Sequence, residues 1–435
     1  MTMQIPDLSP TAVLARDLIR IDTSNYGEGR SNGETEAAEY VVAFLSDLGL
    51  TPRIYESAPG RTSVIAEVEG ADPSLPKLVV HGHLDVVPAD ASEWSVDPFA
   101  GEIRDGLLWG RGAVDMKNMD AMIMQSVADI LRAGKRPRRG LILAFFADEE
   151  AGGVFGAGWM VKNHPEVFEG ATEAISEVGG YSVEVAGKRA YLLQTAEKAM
   201  QWIKLTASGT AAHGSQVMRD NAITKLSRAV HALGESEFDM HLSDTTRALL
   251  QGLADLQGVD YDDSKAEELA ASAGTASRFL LSSLRSTANP TMLDAGYKHN
   301  VIPRVASARV DVRPLPGHED ATRTRIQEIV GPDIEIETIF DDKGLDHPFE
   351  GELVEAMVGA LGRHDPEATV LPYMLSGGTD NKSLAELGIR GYGFAPLKLP
   401  ADLDFAAMFH GVDERVSLEA IDFGTDVLTD LLLTY

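Results

Sequence analysis

An apolar run that ends in three consecutive acids is the first feature of this sequence that could do chemistry. Residues 141–153 read LILAFFADEEAGG, so Asp148, Glu149 and Glu150 follow a segment typical of a buried strand. Ionised carboxylates are costly to bury unless a cation neutralises them. Because the run contains no Lys or Arg, the compensating charge must come from outside it.

A second set of candidates lies in the segment KLVVHGHLDVVP. His81, His83 and Asp85 fall at the end of an apolar strand, and ligands of open α/β sheets bind at the carboxyl ends of strands. Alternate residues of a strand share one face. A metal-binding histidine usually needs a partner for its second ring nitrogen, and Asp85 is well placed for that role. For this segment alone, a histidine in a polar turn is an equally good interpretation.

Three further candidates end strands or open helices. Asp115 lies in the glycine-rich turn GRGAVDMK, Glu177 follows a β-rich run in ISEVGG, and His410 precedes the last helix in MFHGVDERV. Taken singly, Asp115 is explained as a helix N-cap and Glu177 as a solvated loop acid. Together with His83 and Glu150 they form the set of imidazole and carboxylate groups that two zinc ions with one shared carboxylate require.

Two zinc ions would also supply the charge that the DEE run lacks. Glu150 would bind one ion, while Glu149, on the other side of the backbone, would stay free to accept a proton from the metal-bound water. The sequence has no cysteine, so any metal must be held by His, Asp or Glu. Those ligands suit zinc and its harder neighbours.

The elements that must position these residues alternate between strand-like and helix-like segments. In the first 195 residues, runs such as TSVIAEVEG, KLVVHGH and GLILAFFA are separated by helical segments such as MDAMIMQSVADILRAG. This pattern indicates a layered α/β sheet. Near residue 196 it changes to alternating strands and an amphipathic helix, which predicts a second, smaller α+β domain.

We therefore predict two domains, as a length of 435 residues suggests. The catalytic domain would comprise residues 1–196 and 343–435, and the α+β domain would interrupt it at 197–342. Within the smaller domain, residues 236–286 are acidic and rich in Ala and Leu, which favours a helical insert.

The overall charge argues against several classes of partner. Asp and Glu number 67 against 38 Lys and Arg, for a net charge of -29. Such a surface repels phosphate backbones and anionic membranes, so we expect neither nucleic acid nor membrane as a partner. The N-terminal residues lack the basic and apolar regions of a signal peptide, and no apolar stretch approaches transmembrane length. We expect a cytoplasmic protein.

The order of the motifs resembles that of the M20 family of zinc metallopeptidases and aminoacylases. HxDVVP is followed by WSxDPF, GRGxxDMK, DEE, EVGG, AHGS, NVIP, DVR, SGGTD and HGxDE. The match runs from about residue 10 to the end, except for the insert at 236–286. The family includes aminoacylase-1, succinyl-diaminopimelate desuccinylase, carnosinase-like dipeptidases and glutamate carboxypeptidase. The resemblance implies a mixed-sheet α/β catalytic domain with helices on both faces and an α+β lid domain through which two chains form a homodimer.

The resemblance also assigns the metal ligands. His83 and Glu177 are similar to the ligands of one zinc ion, and Glu150 and His410 to those of the other. Asp115 is similar to the carboxylate that bridges the two ions. The implied cofactor is two Zn²⁺ per subunit, with Co²⁺ or Mn²⁺ as substitutes.

Three residues resemble the family's catalytic groups. Glu149 is similar to the general base and acid that activates a metal-bridging water, and Asp85 to the residue that orients a metal-binding histidine. His213, in TAAHGS, resembles the histidine that reaches into the partner subunit's site and polarises the scissile carbonyl.

Four more residues resemble groups that bind the carboxylate end of the substrate. They are Asn300 and Arg313, in HNVIPRVASARVDVR, and Gly378 and Thr379, in SGGTD. The implied reaction is hydrolysis of an amide bond beside a free carboxylate, in a dipeptide or an N-acyl amino acid. Two other hypotheses stay open at this stage: hydrolysis of N-carbamoyl or ureido bonds, and a non-catalytic peptide- or metal-binding protein on the same fold.

Overall fold

The computed structural model describes residues 8–435. Residues 1–7, a polar lead that we assigned to the catalytic domain, lie outside the described residues. Within residues 8–435, no helix combines the length and the apolar character needed to cross a bilayer.

The first part of the larger domain alternates strands and helices, as the sequence pattern predicts. In chain order its elements are α1 (Pro10–Ile19), β1 (Asn25–Gly27), β2 (Arg30–Ser31), α2 (Thr35–Asp47), β3 (Arg53–Ala58), β4 (Arg61–Val68), β5 (Lys77–His83), β6 (Glu102–Arg104), β7 (Leu107–Trp109), α3 (Lys117–Arg132), β8 (Leu141–Phe146), α4 (Ala157–Asn163), β9 (Ala171–Ser176), β10 (Tyr181–Val185) and β11 (Lys188–Glu197). The helix α1 begins with Ser9 as N-cap, whose hydroxyl accepts a hydrogen bond from the N–H of Ala12.

The smaller domain and the insert follow. Their elements are β12 (Gln201–Ser208), β13 (Ala212–His213), α5 (Ala222–Gly234), α6 (Asp244–Gln257), α7 (Ala266–Ala271), α8 (Ser277–Ser282), β14 (Thr287–Ala295), β15 (Val301–Ile302), β16 (Val305–Arg313), α9 (Glu319–Val330) and β17 (Ile334–Asp341). The chain then returns to the larger domain with β18 (Leu345–Asp346), α10 (Glu352–His364), β19 (Thr369–Leu375), α11 (Asn381–Ala385), β20 (Arg390–Gly393), β21 (Arg415–Ser417) and α12 (Leu418–Thr434).

A mixed sheet forms the centre of the larger domain. Its main path runs β10-β11-β20-β9-β5-β8-β4-β3, and β18 and β19 also pair with β11. The central strands β9, β5 and β8 are parallel, whereas β4 runs antiparallel to β8. The prediction of a mixed α/β sheet is confirmed.

Helices cover both faces of this sheet. In β5, the side chains of Leu78 and Val80 belong to a core that includes residues of α1, α2, α3 and α12. Val79, which points the other way, belongs to a second core built with α4 and α11. Because alternate residues of a strand point to opposite faces, a strand buried on both faces shows a continuous apolar run. KLVVHGH and LILAFF are such runs.

The smaller domain is an antiparallel sheet with helices packed on it. Its strand order is β14-β16-β12-β17, and Leu205, Leu226, Val310 and Ile326 lie in its separate core. The strand β12 alternates buried and half-exposed residues, the pattern of a sheet with one covered face.

The helical insert packs against the larger domain. Leu250, Leu253 and Leu280 are buried in the same core as Leu371 and Tyr373 of β19. Apolar periodicity indicates that a helix has a buried face, but it does not identify the surface that covers it. We placed the insert within the smaller domain because it lies between that domain's strands in sequence, and we propose that it is structurally part of the larger one.

Candidate metal centre and active site

Three neighbouring parallel strands bring the first candidates to one edge of the sheet. His83 is the last residue of β5, Glu177 directly follows β9, and a 3-10 turn at Glu149–Ala151 follows β8. The strands lie in the order β9-β5-β8. Because the carboxyl ends of parallel strands meet at the same edge, the two glutamate segments flank His83.

The remaining two candidates come from loops. Asp115 precedes α3 and forms a cis peptide bond with Met116. His410 lies between β20 and β21 with a positive φ of 56°. The structure therefore brings these groups together from distant parts of the chain.

Asp115 lies between the two histidines. Its Oδ1 is 3.1 Å from Nε2 of His83, and its Oδ2 is 3.4 Å from Nε2 of His410. Glu177 approaches His83, with 3.7 Å between Oε2 and Nε2, and Glu150 approaches His410, with 3.0 Å between the same atoms. One carboxylate is thus shared, and each histidine has a carboxylate of its own.

This donor set fits a pair of divalent metal ions. The ligand atoms of His83, Glu149 and Glu177 lie within 4.8 Å of one another, as do those of His83, Asp115 and Glu150. All the donors are imidazole nitrogens or carboxylate oxygens, and the carboxylates outnumber the histidines. Such an excess of negative charge in a partly buried site calls for cations.

The electrostatics of the site reflect the same crowding. Burial raises the pKa of the Glu149 carboxyl well above its ordinary value, and the positive charge of His83 opposes this effect. Burial disfavours the charged form of His83, but Glu177 and Asp115 outweigh it and raise the pKa of the imidazole. Burial also raises the pKa of Glu177, to about 8, and Asp115 adds to the rise.

Asp85 holds the centre together through more than one bond. The Nδ1 of His83 donates to the backbone oxygen of Asp85 at 2.9 Å, whereas the nearer carboxylate oxygen is 3.5 Å away. The Asp85 carboxylate instead accepts the backbone N–H groups of Glu149 at 3.1 Å and Glu150 at 3.2 Å, and the Asn25 amide at 2.8 Å. Asp85 therefore positions the histidine and the DEE turn together, so that Nε2 of His83 faces Asp115 and Glu177.

The first acid of the DEE run is neutralised by a side chain. Asp148 forms an ion pair with Arg61 of β4 and accepts hydrogen bonds from the amide of Asn25 at 3.1 Å and the N–H of Phe155 at 2.8 Å. Arg61 also pairs with the fully buried Glu34, at 2.8 Å. Asp148 thus has a protein cation opposite it, while Glu149 and Glu150 face the candidate metal centre.

Glu414 is a buried acid next to the candidate metal centre that the sequence analysis did not identify. It pairs with Arg111 at 2.6 Å and accepts the backbone N–H groups of Gly112 at 3.1 Å, Val114 at 2.6 Å and Asp115 at 3.0 Å. These bonds fix the loop that carries Asp115. Glu414 lies in the quoted motif HGxDE, but its partner segment is about 300 residues away, so only the fold reveals its role.

A cavity of about 590 Å³ opens beside the centre. Its wall includes the carboxylates of Glu149 and Glu150 together with Arg313 and Gly378. A second crevice, of about 1110 Å³, also reaches Glu149. Glu149 therefore borders the space where a substrate would lie.

The predicted carboxylate-binding residues differ in how they are placed. Arg313 lines the cavity with a side chain that is 22% exposed and forms a two-point contact with Asp311, at 2.8 and 3.1 Å. Gly378 lines both crevices. The hydroxyl and N–H of Thr379 both bond to the buried Glu197, at 2.7 and 3.0 Å, so Thr379 secures the loop that presents Gly378.

His213 and Asn300 lie apart from this group. His213 ends β13, which pairs with β15. The side chains of His213 and Asn300 are both exposed. The Nδ1 of His213 is 2.8 Å from the hydroxyl of Ser215. Within the described chain, neither His213 nor Asn300 lines the cavity beside the metal centre.

Known proteins share both the sequence pattern and the fold. Residues 79–434 match the model of Peptidase family M20/M25/M40. The chain is 30% identical over 440 residues to an N-fatty-acyl-amino acid synthase/hydrolase of Xenopus tropicalis, covering 93% of this chain and 81% of the relative. It is 26% identical over 440 residues to human aminoacylase-1, covering 97% and 94% of the two chains.

A solved structure agrees with the fold. The crystal structure of an M20 family metallo-carboxypeptidase from Sulfolobus solfataricus superposes with a TM-score of 0.74 at 17% identity and covers 98% of this chain and 99% of that chain. The family match spans most of the sequence, from the strand that carries His83 to the last helix. The chain therefore belongs to peptidase family M20/M25/M40, and it is a hydrolase that acts on peptide or amide bonds.

Proposed function

We propose that the chain is a di-zinc hydrolase that cleaves an amide bond next to a free carboxylate, in a dipeptide or an N-acyl amino acid. The observation that supports this proposal most directly is the position of Asp115 between His83 and His410, with Glu149 beside them at the cavity wall.

The metal ions would be held by the five predicted ligands. His83 and Glu177 would hold one ion, Glu150 and His410 the other, and Asp115 would contact both. The family is one of metal-dependent peptidases, and a set of imidazole and carboxylate donors suits zinc, with Co²⁺ or Mn²⁺ as substitutes. When bound, such ions polarise a carbonyl and lower the pKa of water.

Glu149 would carry the proton. It takes a proton from the water that attacks the carbonyl carbon and delivers it to the amide nitrogen as the C–N bond breaks. Its Oε2 is 4.0 Å from Nε2 of His83, and the residue borders the cavity, which puts its carboxylate within reach of both the water and the scissile amide. Asp85 keeps the backbone of Glu149 in place.

Arg313 would bind the free carboxylate of the substrate. It is always charged and presents paired donors that match a carboxylate. In the structure this fork faces Asp311, and the substrate would replace or share that partner. Gly378 would leave room for the same end, since its position lines the cavity without a side chain.

A homodimer would bring His213 to the partner's active site. The smaller domain exposes large apolar side chains, with Val217 97%, Tyr297 82% and Leu293 67% exposed, and a subunit interface on this domain would cover them. The strand β14 is also an edge strand of its sheet, and edge strands pair readily with another chain.

Metal content and substrate choice test this function. Chelator treatment should abolish hydrolysis, and two equivalents of Zn²⁺, Co²⁺ or Mn²⁺ per chain should restore it. The zinc-loaded protein is then assayed against dipeptides, N-acetyl and longer N-acyl amino acids, N-succinyl compounds and N-carbamoyl amino acids. Turnover confined to the N-carbamoyl compounds, or turnover unaffected by chelation, would contradict the proposal.

A further inference from the structure

The cavity beside the metal centre is mainly apolar. Its wall combines Leu375 and Phe409 of the larger domain with Trp202 and Met292 of the smaller one and with Phe279 of the insert. The charged lining residues are those of the candidate metal centre, which form the metal end of the cavity, the Arg313–Asp311 pair, and Arg309, which is 3.8 Å from Glu28 across the two domains. A volume of about 590 Å³ is in the range of pockets that enclose a small organic ligand.

Phe279 gives the insert a direct place in this cavity. Phe279 lies on α8. It is the one residue of the insert, 236–286, that lines the cavity within the described chain. Its ring meets that of Phe409 edge to face, with 5.8 Å between centroids and an angle of 66°. Phe409 immediately precedes His410, so the aromatic pair extends the cavity wall directly from a proposed metal ligand.

The helix that carries Phe279 is firmly held. Leu280 is fully buried against the core that includes Tyr373, and the hydroxyl of Ser282 is 2.7 Å from that of Ser376. Ser376 precedes the glycines of SGGTD, and Gly378 lines the same cavity. Phe279 is half-buried, on a helix that these contacts hold against the larger domain.

We propose that the substrate of this enzyme carries an aliphatic acyl chain that occupies the apolar cavity, and that Phe279 sets the longest chain the cavity accepts. The proposal rests on the function proposed above and narrows it to N-acyl amino acids with acyl groups larger than acetyl. An apolar chain gains free energy for each methylene that leaves water, until the ring of Phe279 stops it. This gives the insert, which lies outside the family motifs, a role in choosing the substrate.

A series of straight-chain N-acyl derivatives of one amino acid, from acetyl to dodecanoyl, tests the proposal. Phe279→Ala should move the optimum of kcat/KM to longer chains, and Phe279→Trp should move it to shorter ones. Consider the ratio of kcat/KM for a chain two carbons longer than the wild-type optimum to kcat/KM for the wild-type optimum itself. This ratio should be about tenfold higher in Phe279→Ala than in the wild type, the scale at which hydrophobic pockets discriminate methylenes. Leu281→Ala, on the exposed side of the same helix, is the matched control and should leave the optimum unchanged.

Binding of the same series to Glu149→Gln protein gives a second measurement that does not depend on turnover. The acyl chain that binds most tightly should be longer for Glu149→Gln/Phe279→Ala than for Glu149→Gln, as the optimum of kcat/KM is longer for Phe279→Ala than for the wild type. Hydrolysis of N-acyl amino acids with the same optimum in both Phe279 variants would overturn the role of Phe279 and leave the proposed function intact. Absence of hydrolysis of every dipeptide and every N-acyl amino acid by the zinc-loaded wild type would instead contradict the proposed function. Hydrolysis of dipeptides or of the N-acetyl compound alone would overturn only the proposal of a longer acyl chain.

Discussion

The candidate metal centre, which forms the metal end of the larger domain, and the β13–β15 pair of the smaller domain both carry predicted catalytic residues. The two regions differ in how firmly those residues are held. The side chain of His83 is 1% exposed and contacts groups from three segments of the chain. His213 is exposed, and within residues 8–435 its ring bonds only locally, to Ser215. One chain is enough to assemble the first region, whereas the proposed role of His213 depends on a second chain.

The difference lies in where the supporting contacts come from. The carboxylates of Asp85 and Glu414 hold the loops of the candidate metal centre by accepting hydrogen bonds from their backbone N–H groups, all within the same domain. The strands β13 and β15 pair only with each other in the sheet topology of the described chain. The structure of a single chain shows all the contacts of a site that lies within that chain. It cannot show the contacts of a site that two subunits share.

The largest expected effect comes from the metal end. Glu149→Gln keeps the size of the side chain and removes its ability to accept a proton, so kcat should fall by about 10³-fold or more. Metal content should stay near that of the wild type, because Glu149 is not a proposed ligand. Glu150→Ala should lose metal as well as activity, since it removes a ligand from one ion. Metal analysis of both variants, alongside their rates, makes the distinction.

A Glu149→Gln protein with substantial turnover would show that another group moves the proton. Equal metal loss in the Glu149 and Glu150 variants would show that the two glutamates do not have separate roles. Either result would remove the contrast between ligand and base on which the proposed mechanism depends.

The second prediction tests the exposed region directly. His213→Ala should lower kcat by about 10²-fold, the typical cost of losing one donor to a developing oxyanion. When Glu149→Ala and His213→Ala chains are mixed and allowed to exchange, a mixed dimer contains one complete site, with Glu149 from one chain and His213 from the other. Random exchange makes about half of the dimers mixed, so roughly a quarter of wild-type activity should return.

Mass spectrometry of differently labelled chains verifies that mixed dimers form. If they form and the mixture stays inactive, His213 does not act across the interface. Its exposed position would then be explained by its local bond to Ser215 alone.

That His83, Glu150 and Glu177 lie together at one edge of the sheet was largely predictable from the sequence. His83, Glu150 and Glu177 follow strand-like runs, and parallel strands end at one edge of a sheet. The residues that hold the centre were not predictable in the same way. Arg61 and Asp148 lie 87 residues apart, and no local pattern indicates that a cation on one strand will meet the first acid of a turn after another.

The same distinction between local patterns and long-range contacts applies to the fold. The period-two and helical patterns predicted the strand and helix types, because each depends on which face of a segment is buried. The position of the insert depends on which surface covers its apolar face, and that surface includes Leu371 and Tyr373, about a hundred residues further along the chain. Patterns within a segment do not carry that information.

The third prediction concerns the cavity between the two domains. Blocking the substrate's carboxylate as an amide should lower kcat/KM by about 10²-fold, because the Arg313 guanidinium, which the substrate would cover, then loses its charged partner. Arg313→Ala should lower kcat/KM for the acid by a similar factor and remove most of the preference for acid over amide. Steady-state rates for matched acid and amide substrates measure both effects. Equal wild-type rates on the two substrates would rule out Arg313 as the carboxylate anchor.

The last prediction concerns the stability of the fold, through the ion pairs beneath the DEE turn. Arg61→Met would leave Glu34 and Asp148 buried without their cation, and removing one partner of a buried pair costs about 3–5 kcal/mol. The control is Arg136→Met, because Arg136 is 60% exposed and its partner Glu69 is 84% exposed. Such a surface pair contributes at most about 1 kcal/mol.

Denaturant unfolding of the metal-free proteins gives both free energies, and hydrogen exchange shows where the loss occurs. In Arg61→Met, exchange should increase in the turn at Glu149–Ala151 and in β4, which carries Arg61, but stay unchanged in β13 and β15. The reason is that Arg61 bonds only to groups of the larger domain within the described chain. Faster exchange in β13 and β15 would mean that the region of His213 depends on the metal end, and the two regions would then not be independent.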